Sequence, residues 1–136
     1  MTADFLNFQN SVLHANYGLI AESEENYPRA IEEFQRSRYY SQIGADAISI
    51  CQANAHIGQA YFALAEYDSA SYYLAQAEVL ARQMDANEIL RDVLPSQAKS
   101  YASLREWDKA YDYANQAISL RDEYLSEEVQ RQVAEM

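Results

Sequence analysis

The chain has 136 residues, a single cysteine and a formal net charge of −11, so it is long enough for one domain and cannot form an internal disulfide bond. Negative charge of this size repels phosphate backbones and anionic membrane surfaces, and nucleic acid is therefore not an expected direct partner. Three glycines and two prolines, against abundant alanine, leucine, glutamate and glutamine, favour an all-α fold.

Apolar residues at helical spacing predict six helices in three antiparallel pairs, followed by a C-terminal helix. Pro28 and Asp68 stand where second helices of the pairs begin, since proline is tolerated and aspartate is favoured at that end. Gly44 marks a break before the second pair. In chain order, the first helices are predicted near 3–23, 44–65 and 86–104, the second near 27–40, 68–84 and 108–123, and the last near 124–136.

Pro95 is an exception, because it falls inside the helix predicted near 86–104. At that place proline removes a backbone hydrogen bond and crowds the preceding turn. Either the helix kinks at Pro95 or it begins later. The kink is favoured by apolar residues upstream at helical spacing, namely Ile89, Leu90, Val93 and Leu94.

An internal repeat runs through the chain. Residues 25–30, 65–70 and 105–110 align without a gap, and an aromatic residue recurs at 40-residue intervals as Tyr27, Tyr67 and Trp107. Each aromatic is followed three residues later by an alanine. The chain is therefore predicted to be a single domain, 1–136, with repeats near 3–40, 44–84 and 86–123.

This series of small, aromatic and alanine positions resembles the tetratricopeptide repeat, in which a small residue lets paired helices approach closely. The resemblance implies a right-handed superhelix of three helix pairs with a C-terminal capping helix. The 40-residue period is similar to the long-helix variety found in bacterial regulators. The small position is occupied by Gly18, Gly58 and Ala98, and the first aromatic position by Tyr61 and Tyr101, where Ala21 departs from the pattern. The aromatic position between the helices has Tyr27, Tyr67 and Trp107, and the alanine position has Ala30, Ala70 and Ala110. The later aromatic position has Phe34, where Leu74 and Ala114 depart from the pattern.

The resemblance also implies a concave groove, lined by the first helix of each repeat, that takes a peptide or partner helix. The groove is expected to be mostly uncharged and rich in amides, and it lacks the clamp that captures chaperone C-termini. The predicted binding residues are Asn16, Leu19, Glu22, Gln52, His56, Gln59, Phe62, Ser96 and Lys99, and Val12, Ala15, Ala55, Asp92 and Ser103 share their face.

No catalytic or metal-binding pattern is present in the sequence. Cys51 and His56 lie about 140° apart around a helix, which does not suit a nucleophile and its base. We therefore predict no enzyme activity, cofactor or metal ion, with Cys51 as a small buried hydrophobe and His14 and His56 as ordinary helix residues. The acidic pairs predicted to lie in solvent are Glu24-Glu25, Glu32-Glu33 and Glu127-Glu128.

Twelve tyrosines and an apolar stripe are the candidate surfaces for self-association. Tyr17, Tyr27, Tyr61, Tyr67 and Tyr101 fit the repeat core, whereas the others lie on second helices or near their ends, and either pack between repeats or form a contact surface. The stripe either caps the last repeat or pairs with another chain. It consists of Leu125, Val129, Val133 and Met136.

These observations predict a non-catalytic scaffold that binds a protein or peptide, as the sensing part of a bacterial signalling or transcription-regulatory protein. The alternative is a structural module that forms a homodimer through the C-terminal helix or the tyrosine-rich second helices. No secretory signal precedes Leu6, and polar residues interrupt the uncharged stretch 47–65, so membrane insertion is not expected. The expected location is cytoplasmic, or periplasmic if the chain is a fragment of a longer sensor.

Overall fold

The computed structural model describes residues 2–136, which form six helices and, within that range, no strand. Each helix packs mainly on its neighbours in sequence, so that three helix pairs stack into one array. The predicted all-α class and the three pairs are therefore confirmed. The helices are α1 (Ala3–Ser23), α2 (Tyr27–Ile43), α3 (Ala47–Ala63), α4 (Tyr67–Gln83), α5 (Asn87–Ser103) and α6 (Trp107–Ala134).

The separate C-terminal helix predicted near 124–136 does not exist, because α6 continues without a break to Ala134. Residues 121–127 contain neither glycine nor proline, and nothing in their side chains interrupts a helix that is already formed. Pro95 lies within α5, which begins upstream at Asn87, so the later start for this helix is excluded. Both ends of α1 and the start of α2 lie where they were predicted, and the other ends, apart from that of α6, differ by one to three residues.

Five turns of one kind connect the six helices, and each contains a residue with positive φ. In the first turn the Asn26 N–H donates to the Ala21 carbonyl oxygen (2.8 Å), and the Glu25 N–H donates to that of Glu22 (3.0 Å). The same pair of bonds recurs in every turn, which is the Schellman arrangement for ending a helix. The left-handed residues lie 20 residues apart: Glu25 (φ 58°), Ala45 (52°), Ala65 (61°), Asp85 (53°) and Arg105 (61°).

Two glycines allow the paired helices to approach closely. A Cβ atom at Gly18 would lie 2.6 Å from the ring of Phe34, and one at Gly58 would lie 2.6 Å from Leu74 Cγ. Phe34 and Leu74 are almost fully buried. At the equivalent place in the third repeat the larger Ala98 stands opposite the smaller Ala114, so that side-chain volume is exchanged between the two helices.

The core consists of two clusters, one at each junction between repeats. The first joins α2 to α3 through Ile31, Phe34, Ile57 and Ala60. The second joins α4 to α5, with Leu74 and Val93 among its members. Each repeat therefore completes its core against the next one, as in other stacked repeat arrays.

Candidate functional site

A cleft of about 470 Å³ opens between the first helices of the three repeats, with α3 in the middle. Phe34 and Ser37 of α2 reach it from beneath. Its volume is within the range of known ligand pockets. The lining residues are Ser11, Val12, Ala15, Asn16 and Leu19 of α1; Ser49, Gln52, Ala53, Ala55, His56 and Gln59 of α3; and Glu88, Ile89 and Asp92 of α5.

Five of the nine predicted binding residues line this cleft. Three of them carry side-chain amides whose donors and acceptors are suited to a peptide backbone. Val12, Ala15, Ala55 and Asp92, predicted on the same face, line it as well. The five are Asn16, Leu19, Gln52, His56 and Gln59.

The other four predicted residues lie outside the lining. Glu22 touches it, with Oε2 3.4 Å from His56 Nδ1, and Ser96 Oγ accepts a hydrogen bond from Gln59 Nε2 at 3.4 Å. Phe62 instead packs against the ring of Tyr67, with centroids 5.3 Å apart, and Lys99 is exposed. Phe62 and Lys99, like Ser103, lie towards the C-terminal ends of their helices, beyond the end of the cleft.

Seven lining residues were not predicted from the sequence. Four of them are Ser11, Phe34, Ser37 and Ala53, and the other three are Ser49, Glu88 and Ile89. These last three precede the predicted positions Gln52 and Asp92 by three or four residues, so one further turn upstream would have included them. With Glu88 beside Asp92, the α5 side carries two carboxylates, and no lysine or arginine among residues 2–136 lines the cleft. Fourteen of the 16 lining residues are uncharged, but the α5 side is negative, because Glu88 joins the predicted Asp92 and Lys99 lies outside the lining.

His56 is held between two neighbours on different helices. Its ring stacks on Phe34, with centroids 4.8 Å apart and planes at 15°, and its Nδ1 atom faces the Glu22 carboxylate. The ring is therefore fixed in the wall of the cleft, between α1 and α2. This is a more specific role than that of an ordinary helix residue.

Glu33 is almost fully buried, whereas the sequence analysis predicted it in solvent. Its Oε2 atom lies 2.7 Å from His14 Nδ1, and its Oε1 accepts a hydrogen bond from Arg36 Nη1 at 3.3 Å. Arg29 approaches the same oxygen at 3.7 Å. A buried carboxylate needs such partners. The His14 contact also ties α1 to α2, whereas Arg29 and Arg36 lie on α2 itself.

Replacing Glu33 with alanine should lower the free energy of unfolding by about 2 kcal/mol, since His14 and Arg36 lose their buried acceptor. Chemical denaturation followed by circular dichroism measures the change. Glu32→Ala is the matched control, because Glu32 is exposed on the same helix, and it should change stability by less than about 0.5 kcal/mol. Equal effects of the two substitutions would contradict this account of Glu33.

Cys51 is fully buried, as predicted, and its thiol lies 3.2 Å from the Ala77 carbonyl oxygen. Burial raises the pKa of this thiol, so the reactive thiolate is disfavoured. Over residues 2–136 no three His, Cys, Asp or Glu side chains are grouped to hold a metal ion. No helix in the described part of the chain has the length and apolar character to span a bilayer.

Comparison with known proteins identifies the architecture. No family model and no curated protein sequence matches the chain. Among solved structures, the crystal structure of the TPR (tetratricopeptide repeat) domain of Arabidopsis FLU superposes with a TM-score of 0.82, covering 85% of this chain and 98% of that one at 16% sequence identity. With its three stacked helix pairs, the chain has the fold of a tetratricopeptide repeat domain.

Proposed function

We propose that the chain is a non-catalytic scaffold that binds an extended segment of a partner protein in the cleft between α1, α3 and α5. The observation that carries this proposal is the lining of the cleft, where one helix from each repeat contributes side chains to a continuous surface. Amides at Asn16, Gln52 and Gln59 suit the backbone of a bound peptide, and Leu19 and Ile89 offer apolar contact.

The charge of the cleft favours a segment with basic side chains. Glu88 and Asp92 lie together on the α5 side, and the lining found in the described part of the chain contains no lysine or arginine to neutralise them. The chain as a whole is also acidic, which attracts a cationic partner over a longer distance. We therefore place a lysine or arginine of the partner beside α5.

As a wider role, we propose that the chain is the sensing or interaction part of a bacterial signalling or transcription-regulatory protein. The support is its 40-residue period, similar to that of long-helix repeats in such regulators. The likeness to the Arabidopsis domain concerns the fold and does not bear on this role.

Selection of random peptides on the purified chain, followed by calorimetry on the selected peptides, tests the proposal. Gln52→Ala combined with Gln59→Ala should weaken binding about 30-fold, because two hydrogen bonds of about 1 kcal/mol each are lost. Glu88→Gln with Asp92→Asn should remove the preference for lysine and arginine and reduce the dependence of affinity on salt.

Lys99→Ala is the matched control, because Lys99 is exposed on α5 outside the cleft. It should leave the affinity unchanged. Unaltered binding by the double amide variant, at unaltered helicity, would contradict the assignment of the cleft.

A further inference from the structure

Equivalent residues of the three first helices differ sharply in exposure. Tyr17, which the sequence analysis placed in the core, is 44% exposed, and Ile20 is 54% exposed. The residues 40 and 80 positions later are buried against the second helix of the preceding repeat, at 1% exposure or less. They are Ile57 and Ala60 in α3, and Gln97 and Ser100 in α5.

Among the second helices, the exposed one is the last, α6, whereas α2 and α4 are covered. Ile31 and Ser71 are each 8% exposed because the next repeat covers them, whereas the equivalent Tyr111 in α6 is 72% exposed. Ile118, on the same face of α6, is 47% exposed. The array therefore has one open face on α1 and another on α6, and both present large apolar side chains.

The two internal junctions show how these faces fit together. At the first, Ile31 belongs to one cluster with Ile57 and Ala60. At the second, Gln97 Nε2 donates to the Ser71 carbonyl oxygen at 3.3 Å. At both internal junctions, therefore, the residue equivalent to Tyr111 contacts the residue equivalent to Tyr17.

We propose that copies of this chain stack head to tail, with α1 of one copy packed on α6 of the next. The contact repeats the geometry of the internal junctions, so Tyr111 of one copy lies against Tyr17 and Ile20 of the other. Because the two faces are different, the association is heterologous and continues beyond a dimer. It uses the outer ends of the array and does not depend on the cleft between α1, α3 and α5.

Beside the contact of Tyr111 with Tyr17, one pair of facing positions on the two open faces is complementary in side-chain volume. At the first internal junction the large Phe34 packs with the small Ala60. At the junction between copies the sizes are reversed, because Ala114 takes the position of Phe34 and Ile20 that of Ala60. A large residue on one side again meets a small one on the other, which close packing requires.

Charge complementarity supports the same arrangement. Across the second junction, Arg82 Nη2 donates to Gln116 Oε1 at 2.6 Å. The equivalent pair between copies is Asp122 on α6 and Arg36 on α2, which have opposite charges. Arg36 also pairs with Glu32 and Glu33 on its own helix, so the Asp122 contact offsets the repulsion between two acidic copies at this place only.

The long C-terminal part of α6 also gains a partner. If the 20-residue spacing of the turns continued, a sixth turn would fall at Leu125, but α6 runs through this position without a break. At the other end of the chain, α1 begins about one helical turn earlier than α3 and α5 do. When two copies stack, these extensions lie antiparallel at the same end. Leu125, which is exposed, then packs against the exposed Phe5 and Leu6 of the other copy.

Sedimentation equilibrium over a range of concentrations tests the stacking with Ile20→Lys and Tyr111→Lys. The unchanged chain should increase in mass beyond a dimer as concentration rises, while each variant should lose this increase and remain at 15.6 kDa. Each variant keeps one intact face, so an equimolar mixture of the two should form a heterodimer of twice that mass and nothing larger.

Tyr72→Lys is the matched control, since Tyr72 is also an exposed tyrosine of a second helix but points away from the junctions; it should associate like the unchanged chain. Circular dichroism establishes that each variant is folded, and Leu13→Glu and Ile118→Glu replace any that is not. A monomer at all concentrations, a limit at the dimer for the unchanged chain, or a mixture that stays monomeric would each overturn the proposal.

Discussion

Replacing Gly58 with valine should lower the free energy of unfolding by about 3 kcal/mol, because the site is already filled by its neighbours. A Cβ atom there would lie 2.6 Å from Leu74 Cγ and 3.1 Å from the Ala70 carbonyl oxygen. Leu74 is fully buried, so its side chain cannot swing out into solvent, and the carbonyl oxygen belongs to the α4 backbone. Urea denaturation monitored by circular dichroism measures the loss.

A second variant tests the cause. Gly58→Ala together with Leu74→Ala installs the alanine pair that the third repeat has at 98 and 114. Leu74→Ala alone should cost about 2–5 kcal/mol, and the double variant should be about 1–2 kcal/mol more stable than the sum of the single effects predicts. Strictly additive effects would show that the two sites do not compete for space.

Gly44 provides the matched control for these glycine substitutions. A Cβ atom at Gly44 would meet its nearest neighbour at 3.6 Å, an ordinary contact, and its backbone is right-handed with φ −80°. Gly44→Ala should therefore leave stability unchanged or raise it by up to about 1 kcal/mol.

Glycine at the five left-handed positions should stabilise the fold by about 1 kcal/mol for each substitution, since a Cβ atom is unfavourable in that conformation. Ala45→Gly and Ala65→Gly should give the largest gains, whereas aspartate tolerates the left-handed region better and Asp85→Gly should gain less. The turns are independent of one another, so the five substitutions together should add about 4 kcal/mol.

Urea denaturation of the single and combined variants measures these gains. The control is Glu24→Gly, one position before the first left-handed residue, where φ is −88° and glycine relieves no strain. Ala65→Gly should be more stable than the parent and Glu24→Gly should not. An equal response of both sites would contradict the role assigned to positive φ.

These turns also explain which parts of the fold the sequence predicted. The aromatic series at Tyr27, Tyr67 and Trp107 revealed the 40-residue period because side-chain packing requires it. The finer spacing of 20 residues left no such mark, since the residues at positive φ are glutamate, alanine, aspartate and arginine instead of glycine. Gly44, the one glycine near a turn, stands one residue before the left-handed position.

Cleft residues could be predicted where they occupy equivalent positions in successive repeats. Asn16 and His56 share one register position, and Leu19 and Gln59 share another, and all four line the cleft. The register does not determine where the cleft ends, so Phe62 and Lys99 were included and Glu88 was missed. The burial of Glu33 could not be predicted from the sequence, because its partner His14 lies 19 residues away on another helix.

The packing of each helix on its neighbours in sequence has a consequence for how the chain folds. Contacts form between segments that the connecting turns already hold close together, so little chain entropy is lost in closing long loops. We expect the middle repeat to form early, because α3 and α4 are covered on both sides. We then expect α1 and α6, each covered on one side only, to be the first helices to fray when the native state opens locally.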